Sequence, residues 1–107
     1  MTTDATFLDY LTTHCRGREC ARTAQRIAAD TGLSTRTQQH CLRRLRREGH
    51  LIGAACDREP MGTYLAAGAE EKRRVYRELQ SRVNDMTETL RLMRVKNPVL
   101  AQERLAV

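Results

Sequence analysis

The chain has no tryptophan, and its aromatic side chains are limited to one phenylalanine and three tyrosines. A core built mostly from smaller aliphatic groups is modest for 107 residues, so help from a partner chain is expected. The sequence also lacks any apolar run near the ~20 residues that a membrane-spanning helix needs. Its first residues lack the basic start and apolar stretch of a signal peptide. These absences predict a cytoplasmic protein that does not contact a membrane.

The four cysteines lack the spacing of a metal site. None forms a C-x2-C pair, and the single C-x4-C of Cys15 and Cys20 is a weak signal. Reduced thiols without a bound metal or other cofactor are therefore expected, and a zinc or redox sensor is the weaker alternative. A phosphate-cradling glycine loop, an H-E-x-x-H motif and a nucleophile elbow are also missing from the sequence, which disfavours an enzyme.

Positive charge is abundant. The chain has 19 Lys and Arg residues against 13 Asp and Glu residues, a net charge of +6, and only Lys72 and Lys96 are lysines. This balance favours a polyanionic partner. Arginine suits phosphates and guanine edges, although a GC-rich genome would enrich arginine as well.

The spacing of apolar and capping residues predicts helices first and a hairpin after them. Three helices are expected: Asp4 to His14, Ala24 to Thr31 behind the cap Thr23, and Thr35 to Glu48 behind the cap Ser34. Beyond Gly49, residues 51–55 and 63–66 read as two short strands around a polar loop. The predicted organisation is a domain over residues 1–67, a long amphipathic helix over 68–96 and a tail over 97–107.

The segment Gln25 to Thr37, with a small Ala28, a turn at Gly32 and a cap at Ser34, resembles a helix-turn-helix. With the hairpin that follows, residues 5–67 are similar to the winged helix-turn-helix of bacterial, phage and plasmid DNA-binding regulators. The resemblance implies a mainly α fold with a small β-hairpin wing. Gln38 departs from the pattern, which usually has a β-branched apolar residue there. Either Gln38 is partly solvated, or Cys41 and Leu42 provide that packing.

In this family the third helix lies in the major groove of duplex DNA and the wing touches the flanking backbone or the minor groove. Mapping the outer face of the third helix and the wing tip gives the expected DNA-binding residues. They are Ser34, Thr35, Arg36, Gln39, His40, Arg43, Arg47 and Arg58. The alternative for the helix is an exposed basic face that binds no ligand. For Arg58 the alternative is an exposed loop residue whose charge is partly neutralised by Asp57 and Glu59.

The long helix has an apolar seam with alternating spacings of three and four residues, as in a coiled coil. The seam consists of Tyr76, Leu79, Val83, Met86, Leu90 and Met93. Its far end is about 25 Å from Tyr76 at ~1.5 Å per residue, too far for one small domain to cover. The seam therefore predicts a homodimer, parallel or antiparallel, or else contact with a different protein.

Together these features predict a dimeric winged-helix protein that binds double-stranded DNA and regulates transcription, as a repressor. Two alternatives remain open from the sequence. One is DNA binding in plasmid partition or replication control. The other is a phage-type inhibitor that uses a helix-turn-helix scaffold to bind another protein.

Overall fold

The structure, a computed structural model, describes residues 2–102. The chain divides into two compact units, Met1–Val75 and Tyr76–Val107. The described elements are α1 (Thr3–His14), a 3-10 turn (Arg18–Cys20), α2 (Ala24–Thr31), α3 (Thr35–Arg47), β1 (Ile52–Ala55), β2 (Gly62–Leu65), α4 (Gly68–Lys96) and α5 (Pro98–Gln102). The expected mainly helical fold with one small antiparallel hairpin is confirmed at this level.

The helices begin where capping residues satisfy their first amides. The hydroxyls of Thr23 and Ser34 accept hydrogen bonds from the amides of Arg26, at 3.2 Å, and Thr37, at 3.1 Å, as the sequence predicted. Thr2 does the same for α1, which therefore begins one residue before the predicted start. At the end of α3, Glu48 lies in a turn, so this helix is one residue shorter than predicted.

The turn between α2 and α3 depends on Gly32. Its φ of 79° is in the left-handed region, which suits glycine because other residues meet a Cβ clash there. The chain then reverses within three residues, and α3 packs beside α1 and α2. This geometry fixes which side of α3 is buried.

The core of the first unit combines aliphatic side chains with two aromatic residues and two cysteines, so it is less purely aliphatic than the composition predicted. Its buried cluster comprises Phe7, Tyr10, Leu11, Cys15, Ile27, Cys41, Leu45 and Ile52. From α3, Cys41 and Leu45 are buried, and Leu42 packs against the cluster while partly exposed. The predicted inner stripe of α3 is therefore confirmed.

Gln38 corrects the sequence analysis. Only 3% of this residue is exposed, so the first of the two alternatives, partial solvation, is wrong, whereas Cys41 and Leu42 do pack in the core as the second alternative stated. Its Nε2 atom donates hydrogen bonds to the carbonyl oxygens of Ala24 and Leu33, each at 3.0 Å. A buried amide needs such partners, and here they join α3 to the start of α2 and to the turn.

The hairpin is extended by the segment between α1 and α2. β1 and β2 pair antiparallel from Ile52 with Leu65 to Ala55 with Gly62. On the other edge of β2, Thr63 exchanges backbone hydrogen bonds with Arg22 at 2.8 and 3.1 Å. A Cβ on Gly62 would lie 2.0 Å from the carbonyl oxygen of Arg22, so this close approach requires glycine.

Arg18 anchors the hairpin loop. The sequence predicted only a turn here, whereas the arginine is 6% exposed. Its guanidinium donates to the carbonyl oxygens of Pro60 and Arg58 and to the carboxylate of Asp57. Glu71, in the first turns of α4, accepts from the amides of Arg18 and Ala67, each at 3.1 Å. These bonds fix the loop and the start of α4 within the first unit.

α4 buries Val75 in the first unit. From Tyr76 to Val99 every side chain is exposed except that of Leu79, which is half-buried. After Asn97, the short helix α5 occupies part of the predicted tail, and residues 103–107 of that tail lie outside the described residues. Within residues 2–102, no helix is both long enough and apolar enough to cross a membrane.

Candidate nucleic-acid interface

The outer face of α3 is a continuous polar surface. Its exposed side chains are Arg36, Gln39, His40, Arg43 and Arg47. At 3.6 residues per turn they span an arc of about 100°, opposite the buried Gln38, Cys41 and Leu45. All five residues are those the sequence placed on this face.

These five side chains have no internal partners. Within residues 2–102, none of them forms a side-chain hydrogen bond or an ion pair. The other arginines of α3 differ, because Arg44 contacts Asp4 at 2.8 Å and Arg46 donates to the carbonyl oxygen of Ile52. The outer face of α3 therefore keeps its hydrogen-bonding capacity for a ligand.

Elsewhere in the first unit, several arginines are paired with acids. The pairs are Arg18 with Asp57, Arg22 and Arg26 with Asp30, Arg44 with Asp4, and Arg58 with Glu19. Hydrogen bonds from Arg44 and Arg18 lower the pKa of Asp4 and Asp57 respectively. The Tyr10 hydroxyl, helped by the arginines, lowers the pKa of Asp30. Ionised carboxylates thus neutralise these cations internally.

The amino-terminal end of α3 presents fewer free groups than the sequence suggested. The Ser34 hydroxyl oxygen accepts from the Thr37 amide, and the hydroxyl donates to Thr37 Oγ1 at 2.9 Å. Its hydrogen-bonding capacity is thus largely used within the helix. Thr35 is exposed, and the first amides of a helix have no intrahelical acceptor. A phosphate at this end would be bound mainly by Thr35 and by backbone amides.

Arg58 lies in the hairpin loop with a 55% exposed side chain. The sequence suggested Asp57 and Glu59 as neutralising neighbours. Instead Arg58 contacts Glu19 at 3.1 Å, while Asp57 contacts Arg18. This long-range exchange of partners could not be read from the local sequence.

A second group of cations was missed by sequence reasoning. Arg16, His50 and Lys72 rim one notch in the first unit, beside Gly49 at the end of α3. They come from three segments that are far apart in the sequence, so no local motif marks them.

In the second unit, the predicted seam of α4 is uncovered. The exposed fractions are 61% for Tyr76, 58% for Val83, 61% for Met86, 58% for Leu90 and 50% for Met93. Leu79, the remaining seam residue, is half-buried. Leu92 and Val95 are also exposed but lie outside the seam.

The cysteines are all free thiols. Cys15 and Cys41 are buried, and burial raises the pKa of each thiol, whereas Cys20 and Cys56 are exposed. In the described part of the chain, no cluster of three or more His, Cys, Asp or Glu residues is arranged to hold a metal ion.

Comparison of the chain with family models, with curated proteins and with solved structures gives no match.

Proposed function

We propose that this chain binds duplex DNA in a sequence-specific manner through the outer face of α3, as a dimeric winged-helix transcriptional repressor. The observation that carries the proposal is the clustering of Arg36, Arg43 and Arg47 on one helix face, where none of them has an ion pair or side-chain hydrogen bond within residues 2–102. Six other arginines of the first unit bond to acids or carbonyls, and the remaining three, Arg16, Arg73 and Arg74, lie on other segments. Unpaired guanidinium groups on one exposed helix face suit a polyanion.

The order of elements supports the winged-helix interpretation. Three helices precede a β-hairpin, and the segment between α1 and α2 pairs with β2. In winged-helix proteins the third helix enters the major groove. α3 is the corresponding element here, and its buried stripe leaves the polar face outward.

The side chains of this face match the chemistry of base edges. A guanidinium such as that of Arg43 donates two hydrogen bonds to the O6 and N7 atoms of guanine. The amide of Gln39 pairs in the same way with the N6 and N7 atoms of adenine. Arg47, in the last turn, suits a phosphate, which orients the helix without reading sequence.

For the seam of α4 we propose a second copy of this chain as the occupant. Moving a half-exposed Leu or Met side chain out of water contributes about 1 kcal/mol. A dimer buries six seam positions on each of its two chains. The free energy gained by this burial opposes an association cost of about 4–15 kcal/mol. The gain and the cost are of similar size, so a weak dimer is expected for so short a seam.

The charges flanking the seam favour parallel helices. In a parallel, in-register pair, Arg82 faces Thr87 of the second copy and Thr89 faces Arg94 of the second copy, so like charges do not meet. An antiparallel pair that aligns the whole seam sets Arg73 against Arg94 of the second copy. That contact is repulsive.

Selection of bound duplexes from a random-sequence pool tests the proposed function. The wild-type protein should enrich one motif, repeated at a spacing of about 10 bp or a multiple because a dimer presents two recognition helices. A variant with Arg36→Ala, Gln39→Ala and Arg43→Ala should enrich none. The control changes Arg77, Asn84 and Arg91 to Ala, which removes the same two charges and one amide from exposed positions outside the seam, and should retain the motif.

The arrangement of the enriched sites separates the possible roles. An inverted repeat supports a repressor that occupies an operator, and iterated direct repeats support partition or replication control. If the wild-type protein enriches no motif while remaining folded, the proposed function is wrong. The exposed seam then favours binding to a different protein.

A further inference from the structure

A notch opens in the surface of the first unit where α3 ends. It has a volume of about 250 Å³ and is rimmed by Arg16, His50 and Lys72, with Leu51 and Leu65 in its lining. Three groups that carry or can accept a positive charge therefore face one concave space. The notch is separate from the five-residue face of α3 described above.

The backbones that carry these side chains are fixed by the fold. Arg16 bridges to Leu65, and the adjacent Gly17 amide donates to the Leu65 carbonyl oxygen at 2.8 Å. The His50 amide donates to the Leu45 carbonyl oxygen at 3.1 Å. Lys72 follows Glu71, whose carboxylate is held by two backbone amides. The fold thus fixes the backbone positions of the three residues, so ligand binding has to order only their side chains.

Two of the three basic side chains of the notch have no counter-ion in the described part of the chain. Within residues 2–102, Arg16 and Lys72 have no ion pair. His50 has a long ion pair with Glu48, whose Oε2 is 3.9 Å from His50 Nε2, too far for a hydrogen bond. The Glu71 carboxylate already accepts two amide hydrogen bonds. An anionic ligand would therefore meet uncompensated positive charge.

We infer that this notch binds a phosphate group through Arg16, His50 and Lys72. Arginine offers a planar fork to phosphate oxygens, lysine a point charge and histidine a ring N–H donor. The same chemistry fits two sources, a DNA backbone phosphate beside the sequence contacted by α3, or a free phosphorylated molecule. The first source rests on the proposed function, and the second does not.

The test compares the wild-type protein with the double variant Arg16→Ala/Lys72→Ala. Its matched control, Arg77→Ala/Lys96→Ala, removes the same charge from exposed positions outside the notch. Affinity for a duplex is measured across a range of salt concentrations, and inorganic pyrophosphate is titrated in thermal unfolding. Glu48→Gln is a second probe, which should strengthen either interaction because it removes the nearby negative charge.

For a DNA phosphate, the notch variant should bind every duplex about tenfold more weakly, and the salt dependence of its affinity should fall by an amount equal to about one phosphate contact. For a free phosphate, pyrophosphate should raise the melting temperature of the wild-type and control proteins but not of the notch variant. Either result supports the inference that the notch binds a phosphate group.

The inference is overturned if the notch variant matches the control in both assays. A wild-type protein that binds no duplex contradicts the proposed function alone, because the pyrophosphate titration still decides whether the notch binds phosphate.

Discussion

The two helices that shape this molecule differ in what they expose. α3 hides its apolar stripe in the core, and the polar side chains of its outer face have no partner within residues 2–102. Beyond Val75, α4 does the opposite, with an apolar seam whose members are mostly more than half exposed. A polar face rich in unpaired arginine suits a polyanion, and an apolar seam suits another protein surface. This difference is the reason we propose a different kind of partner for each helix.

The largest effect should come from charging the seam. Val83→Glu with Leu90→Glu would bury four carboxylates in a dimer, so the variant should sediment as a monomer. Its affinity for the selected DNA motif should fall by about 100-fold or more, because each half-site then binds alone.

The matched control, Ser81→Glu with Asn84→Glu, adds the same charge to α4 outside the seam and should remain dimeric. If the wild-type protein already sediments as a monomer at tens of micromolar, the seam does not bind a second copy. The exposed seam of α4 would then bind a different protein.

The next largest effect concerns the unit that supports α3. Gly62→Ala places a Cβ 2.0 Å from the Arg22 carbonyl oxygen, and the backbone there is hydrogen-bonded. We expect a loss of about 3–5 kcal/mol in the free energy of unfolding, measured with urea.

Gly32→Ala is the control for that loss. It has the same kind of positive φ, but nothing lies within 4 Å of the added Cβ. It should cost only about 1–2 kcal/mol. Equal costs at the two glycines would mean that the contact between Arg22 and β2 does not constrain the fold.

Arg58→Ala should have a smaller effect. Arg58 is already paired with Glu19, unlike the arginines on the outer face of α3. We expect DNA affinity to fall by about threefold or less, equally for all sequences, because an exposed and paired cation contributes little. If the loss of affinity, measured by fluorescence anisotropy, instead depends on the DNA sequence, the hairpin loop takes part in sequence recognition.

The smallest effect is the pH dependence of stability, which involves the paired acids and buried thiols of the first unit. Asp4, Asp30 and Asp57 have lowered pKa values, so their ionised forms stabilise the folded state at pH values above their ordinary pKa of 3.8. This stabilisation is lost as the pH falls below that value. Cys15 and Cys41 have raised pKa values, because the folded state favours their neutral thiols. Folding stability therefore decreases as the pH rises above their ordinary pKa of 9.0.

The melting temperature should therefore be flat between about pH 4.5 and 8.5 and should fall on both sides. Asp4→Asn should flatten part of the acid slope. An unchanged melting temperature down to pH 2 would show that the ion pairs of these aspartates add nothing to stability.

Local features of the fold were predictable from the sequence, and long-range ones were not. The caps Thr23 and Ser34 and the turn at Gly32 depend on neighbours within a few residues, so the pattern located α2 and α3 well. The outer face of α3 followed from helical periodicity alone.

The burial of Gln38 and Arg18 depends on carbonyl groups that only the folded chain brings near. The pairing of Arg58 with Glu19 and the notch formed by Arg16, His50 and Lys72 join segments that are distant in the sequence. Composition supplies many cations but does not indicate which are paired. The unpaired arginines of α3 stand out only once the ion pairs of the others are known.

The most direct test of the central claim compares two adjacent arginines of α3. Arg43 is exposed without an internal partner in the described chain, and Arg44 contacts Asp4. Arg43→Ala and Arg44→Ala remove the same charge from the same helix. The measurement is the ratio of affinities for the selected motif and for an unrelated duplex at fixed salt. Arg43→Ala should lower this ratio by about 5- to 150-fold, equivalent to about 1–3 kcal/mol, and Arg44→Ala should leave it unchanged. Equal ratios for both variants and the wild-type protein would contradict the claim that the outer face of α3 reads DNA.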